Sequence, residues 1–237
     1  MDSVIKTYVD SEPSAVTLAK SLELHSLAIG TPVAVDTETV RCNPKKESPV
    51  GRAELFCMTT AYRAGLDTIN AAYVPGRFLS YFKEWLEDDY EKCGSGIMDY
   101  DYHVFANLGV HLRNVVGDTR RMSQLLNPSK MFGHGLKQWG ERLGFTSHPF
   151  STLQRQVASK GKPRTYKRDN DALGRVAGAE FQDIDLSKFT TTLELDEIWR
   201  DYPQRRQMIM DYAIQDPVMS LVVFEHLVTK LKQVNWS

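Results

Sequence analysis

The eight residues VAVDTETV at 33–40 constrain this chain more than any other stretch. Val33, Ala34 and Val35 form a short apolar run with strand character, which ends in Asp36 and Glu38, one threonine apart. Side chains two apart on an extended backbone point to the same side, so both carboxylates leave the strand together. Like charges at that spacing raise each other's pKa and cost stability unless something positive lies between them. A divalent cation meets that need. On its own the stretch also fits a buried strand that runs into a polar turn.

The rest of the chain supplies elements that can surround such a strand. Residues 11–29 open on Ser-Glu-Pro and carry Val16, Leu18, Leu22 and Leu27 at helical spacing, which predicts a helix feeding the strand. After VAVDTETV a Pro- and Gly-containing loop leads to strands at 55–62 and 67–74, with the turn placed at 63–65. RFLSYFKEWLEDD puts Phe78, Leu79, Phe82 and Leu86 on one helical face, with Trp85 beside it. A short strand within 93–98 precedes a helix with Tyr102, Phe105 and Leu108 at helical spacing. Val115 and Val116 suggest another strand, and Asp118 or Thr119 is a natural cap for the helix that follows. Residues 134–143 read as a compact helix, and the segment from Gln204 to about Lys232 is rich in helix. Strands with interleaved helices give a mixed α/β layer structure.

Residues 146–192 stand apart, because periodicity fades and charge separates. Arg155, Lys160, Lys162, Arg164, Lys167 and Arg168 fall in a run with no acid, and acids dominate from Asp169 to Asp201. The segment reads as a long insertion within a single domain of residues 1–237. Its cations suit phosphate contacts that track a nucleic-acid backbone without reading bases, and they suit a solvated loop equally.

Two further acids stand out by their surroundings. Asp101 lies in the aromatic YDYHVFANLG, and Asp216 follows Tyr212 by four residues in DYAIQD, so on a helix the two share a face. Four carboxylates with a tyrosine suffice to hold two hard divalent ions and orient a water. DTET at 36–39, YDYHVFANLG at 100–109 and Tyr212 to Asp216 resemble, in order, the three motifs of the DEDD exonuclease superfamily, in its tyrosine-containing branch. The flanks KKESPVGRAELFCM, GDTRRMSQLLNPSK and GHGLKQWGERL are similar to those of the 3′-5′ proofreading domains of family A DNA polymerases, especially the plant and protist organellar and phage types.

That resemblance implies a ribonuclease H-like fold with a central mixed sheet of about five strands flanked by helices. It implies two Mg²⁺ or Mn²⁺ ions on Asp36, Glu38, Asp101 and Asp216, with Tyr212 orienting the attacking water. The implied substrate is a single-stranded or frayed DNA 3′ end, and the implied partner is a DNA polymerase acting in trans or as a C-terminal part missing from this chain. Members usually carry asparagine where Ile97 stands, Asp99 lies two residues from Asp101, and Pro217 directly after Asp216 predicts a kinked or restarted last helix. Two other readings use the same residues: an RNA 3′-end trimming nuclease resembling ribonuclease D, and a non-catalytic binding module with the same fold.

The net charge of −1 argues against a chain coated in positive charge. No apolar run approaches the roughly 20 residues that span a bilayer, and no targeting sequence is visible at the start. Cys42, Cys57 and Cys93 form no metal-binding spacing and suit a reducing intracellular compartment. Trp139 and Phe132 read as core, and His103 as a packing residue.

Overall fold

A computed structural model describes residues 2–42, 47–146, 148–158, 183–189 and 193–234. The chain divides into two compact units, Met1–Phe145 with Ala213–Ser237, and Thr146–Tyr212.

The first unit is built on a six-stranded mixed sheet of order β1-β4-β3-β2-β5-β6. Its strands are β1 (Ser3–Tyr8), β2 (Val33–Val40), β3 (Glu54–Gly65), β4 (Thr68–Pro75), β5 (Lys92–Gly94) and β6 (Val115–Asp118). β2 pairs antiparallel with β3 and parallel with β5, which places VAVDTETV in the interior of the sheet. This is the expected mixed α/β sheet flanked by helices, with one strand beyond the five or so expected. The addition is β1, an exposed edge strand parallel to β4. Its SVIKTY carries no apolar face, so periodicity could not flag it. The β3–β4 turn falls at Leu66 and Asp67, not at 63–65, because Arg63 still pairs with Ile69 in the ladder.

Alternation along β2 separates two faces. Val33 and Val35 join Met58, Ala72 and Val74 beneath α1 (Glu12–Ala28), a 3₁₀ turn (Gly76–Phe82) and α2 (Lys83–Glu87). Leu18, Leu22, Leu79, Phe82, Trp85 and Leu86 fill that layer, and burial of each contributes about 2 kcal/mol. The buried stripe of α1 is Ala15, Leu18, Ala19, Leu22 and His25. Leu27 lies about 200° around the helix from His25 and is 70% exposed, contrary to its expected place on the inner face.

Asp101–Asn107 forms α3. Gly109, at φ +69°, follows it in the left-handed region and ends the element early, which leaves Leu108 49% exposed instead of on the buried face. Asp118 caps α4 (Thr119–Leu126) by accepting from Arg120 and Arg121 N–H, as its position predicted. Along α5 (Leu136–Arg142), Trp139 packs with Phe132, Met219, Val223 and Leu227, and its Nε1 donates to Ser123 Oγ at 2.8 Å.

In the second unit, Pro149–Ala158 is helical (α6), with Phe150, Leu153 and Val157 buried at helical spacing. Regular structure therefore reaches into a stretch read as irregular. The unit continues with α7 (Leu195–Asp201), and Arg205 pairs with Asp183 beyond it. The last helix, α8 (Arg206–Gln233), runs through Pro217 without a break, so of the two expectations, a kink or a restart at Asp216, the restart is absent. Proline inside a helix costs about 3 kcal/mol. Buried Val218, Met219, Leu221, Val223 and Leu227 offset it at about 2 kcal/mol each. Among the described residues no helix is long and apolar enough to cross a membrane.

Candidate metal centre

The sheet face opposite the apolar layer carries Ala34, Asp36 and Glu38. Ala34 pairs with Ala61 and Ala61 with Ala71, so a row of three buried alanines crosses three strands. Such a row leaves room for a helix, and α8 lies there. Asp216 meets Asp36 and Glu38 at one end, and Glu225 accepts two bonds from Arg63 at the other, at 2.8 and 2.6 Å. The lengths agree: nine residues of helix rise about 13.5 Å, and four residues of strand from Thr59, opposite Asp36, to Arg63 rise about 13.6 Å.

Asp36, Glu38 and Asp216 each offer a carboxylate oxygen, and these oxygens lie within 4.8 Å of one another. The fourth acid arrives by another route. β5 pairs with β2 only at Val33 and Ala34, which leaves the edge of β2 uncovered beyond that point. Thr37 N–H donates to Asp101 Oδ1 at 2.8 Å, and the Thr37 hydroxyl donates to the same oxygen at 2.6 Å. Asp101 is only 3% exposed as a result. Asp99, two residues earlier, ion-pairs with Arg121 at 2.8 Å and is half exposed.

Burial dominates the electrostatics, and repulsion among the acids adds to it. Burial and then the charges of Asp101, Asp216 and Glu38 hold the Asp36 carboxyl well above the usual range. Burial and then Asp216 push Glu38 up to about 8. Burial lifts Asp101 to about 7 against the Thr37 hydrogen bonds, and burial also raises Asp216. Lys137 on α5 is the cation that offsets Asp36, Glu38 and Asp216. Hard oxygen donors that crowd together and resist ionisation suit a small divalent cation such as Mg²⁺ or Mn²⁺. The donor set therefore fits the metal that the sequence implied.

Tyr212 is the last residue of the second unit, one helical turn before Asp216 on α8. Its ring packs on Phe150 and His148, and its hydroxyl donates to Gln154 Oε1 at 3.2 Å. The Arg155 side chain and Lys160, Lys162, Arg164, Lys167 and Arg168 lie outside the described residues. Ile97 is fully buried in the apolar layer, and His103 packs edge-on to Tyr102.

Two residues here escaped sequence reasoning. Thr37 lies between the acids but on the opposite face, and its N–H matters only because β5 stops short. Lys137 read as one more polar position of a compact helix, and only the packing of α5 brings its charge to bear on the acids. Thr37→Val removes the hydroxyl from Asp101 and keeps the shape. A drop of about 10- to 100-fold in metal-limited activity is expected, with the melting temperature little changed. Unchanged metal dependence in that variant would show Asp101 to be held by other means.

The chain is similar to several known proteins. A family model described as 3′-5′ exonuclease matches residues 8–162. The chloroplastic/mitochondrial DNA polymerase I B of Arabidopsis thaliana is 29% identical over 111 residues, 43% of this chain and 11% of that protein. The chain thus spans about a tenth of the length of this curated relative. Among solved structures it is similar to the POL domain of Pol1 from M. smegmatis, in complex with DNA primer-template and dNTP (TM-score 0.48, 17% identity, 78% of this chain and 29% of that one). It is also similar to Brucella melitensis NrnC with bound Mg²⁺ (TM-score 0.44, 15% identity, 100% and 85%). A third is the EXD2 exonuclease domain soaked in Mn and Mg (TM-score 0.39, 15% identity, 87% and 98%).

Proposed function

Since this chain belongs to the 3′-5′ exonuclease family of A-type DNA polymerases, we propose that it is a proofreading-type nuclease that removes nucleotides from single-stranded or mismatched DNA 3′ ends. The observation that supports this most is the meeting of Asp36, Glu38 and Asp216 within 4.8 Å, beside a buried Asp101. These four acids would hold two Mg²⁺ or Mn²⁺ ions. When bound, the ions supply Lewis-acid stabilisation of charge on the attacking and leaving oxygens.

The protein's own part is positioning. Asp36 and Glu38 are fixed by an interior strand, Asp216 by α8, and Asp101 by Thr37. Tyr212, on the same face of α8 as Asp216, orients the attacking water. Hydrolysis joins the water oxygen to phosphorus, breaks the P–O3′ bond and frees a nucleoside 5′-monophosphate. Lys137 carries positive charge toward the acids, where the anionic scissile phosphate must enter. Arg155, Lys160, Lys162, Arg164, Lys167 and Arg168 of the insertion follow the strand backbone. The whole chain acts as one exonuclease domain, with a DNA polymerase as its working partner.

The test uses 5′-labelled DNA and RNA strands of one sequence, incubated with Mg²⁺, Mn²⁺ or a chelator. A ladder shortening from the 3′ end of DNA, absent with chelator, is expected. Faster shortening of RNA would transfer the reading to an RNA-trimming enzyme, and no shortening of either strand with either metal would sink it.

A further inference from the structure

The turn that joins β5 to α3 decides where Asp101 stands. α3 has seven residues, too few to hold its own position, so its first residue is placed by what precedes it. Gly96 sits at φ +72°, and its carbonyl accepts from Asp99 and Tyr100 N–H. Ile97 anchors the turn from below, where Gly94 is required because a Cβ there would lie 2.8 Å from the Val35 carbonyl and 2.9 Å from Ile97. From the other side comes Asp118, at the end of β6 and paired with Gly94 in the ladder.

Four backbone N–H groups converge on the buried carboxylate of Asp118. Its Oδ1 accepts from Gly96 at 3.0 Å, Arg120 at 3.0 Å and Arg121 at 3.4 Å, and Oδ2 accepts from Met98 at 3.4 Å. Capping α4 needs only the bonds to Arg120 and Arg121. The bonds to Gly96 and Met98 are surplus to a cap, and they fasten the turn that launches Asp101. Arg121 extends the same tie through Asp99 at 2.8 Å.

We propose that Asp118 is a positioning residue for the metal centre: it holds the 95–100 turn, and through it the start of α3 and the carboxylate of Asp101. The proposal rests on the nuclease reading for its purpose and on the hydrogen bonds for its substance. With its oxygens committed to N–H donors, Asp118 acts from behind the centre and not as a ligand. Asparagine serves as well as aspartate in a cap, so Asp118→Asn keeps α4. The asparagine oxygen then stays on Gly96, Arg120 and Arg121 N–H, and its –NH₂ takes the place of Oδ2 and meets Met98 N–H donor to donor.

The test compares wild type, Asp118→Asn and a core control, Leu22→Ala, in three measurements on the full chain. In metal-free protein, amide exchange at Met98, whose acceptor is lost, is expected to quicken about 10-fold in Asp118→Asn. Calorimetric titration with Mn²⁺ is expected to show about 10-fold weaker binding. Leu22→Ala should melt earlier and bind Mn²⁺ as wild type does. Unchanged exchange, or unchanged Mn²⁺ affinity, in Asp118→Asn overturns the proposal, as does equal weakening in Leu22→Ala. Cleavage of the labelled strand is read separately. A wild type that binds Mn²⁺ without cutting defeats the nuclease reading, and the exchange and binding arms still decide the role of Asp118.

Discussion

Replacing Asp36 with alanine is expected to lower the rate of 3′-end shortening by about 10³-fold or more. Asp36 feels Asp101, Asp216 and Glu38 together, and in the proposed centre it would be the ligand that serves the whole cluster. Its loss removes several kcal/mol of charge stabilisation at the scissile phosphate, and each 1.4 kcal/mol is tenfold in rate. The same substitution relieves like-charge repulsion, so the metal-free variant should unfold at higher urea than wild type. Single-turnover cleavage and urea titration in chelator measure the two effects. Lost activity with lower stability would mean that Asp36 is structural. Retained activity would place the chemistry elsewhere.

The second large effect is on stability. Metal-free protein should weaken as pH rises from 5 to 8. Glu38 titrates at about 8 and Asp101 at about 7 in the fold, both raised first by burial, and both near 4 when unfolded. Between those values the folded state keeps protons that the unfolded state has released, so the free energy of unfolding falls with rising pH. This contribution is fully present below about pH 4 and is lost as pH passes through 7 to 8. Because the carboxyls share protons, the loss belongs to the cluster, on the order of 3 kcal/mol after allowance for solvent screening. Saturating Mn²⁺ should reverse the trend, since it binds deprotonated ligands of the folded state. Urea titrations at pH 5 and pH 8, with chelator and with Mn²⁺, test this. A flat profile in chelator would show that the buried acids do not hold their protons in the folded state.

What could be read from the chain was whatever depends on local period and order. Alternation gave Val33 and Val35 to the core and set Asp36 and Glu38 together on the other face. The i, i+4 spacing put Asp216 one turn after Tyr212. The cap at Asp118 followed from a polar residue between a strand and a helix. Features that depend on a neighbouring element were not readable. β1 has no apolar alternation, because as an edge strand it buries almost nothing. The continuity of α8 through Pro217 depends on the apolar side chains that follow the proline, which outweigh a local rule. Thr37 gained its role only where β5 stops, and Lys137 only where α5 packs. Of the insertion, α6 is legible in the helical spacing of Phe150, Leu153 and Val157, which the adjoining run of cations masks.

The alanine row across the sheet carries a further consequence. Ala34, Ala61 and Ala71 are buried and bear no reactive group, yet they set how closely α8 lies on β2 and β3. In a saturation mutational scan scored by cleavage, larger side chains at Ala61 would register as catalytic defects, because added bulk displaces the helix that carries Asp216. In such a map, smallness at these positions marks a distance the protein must keep.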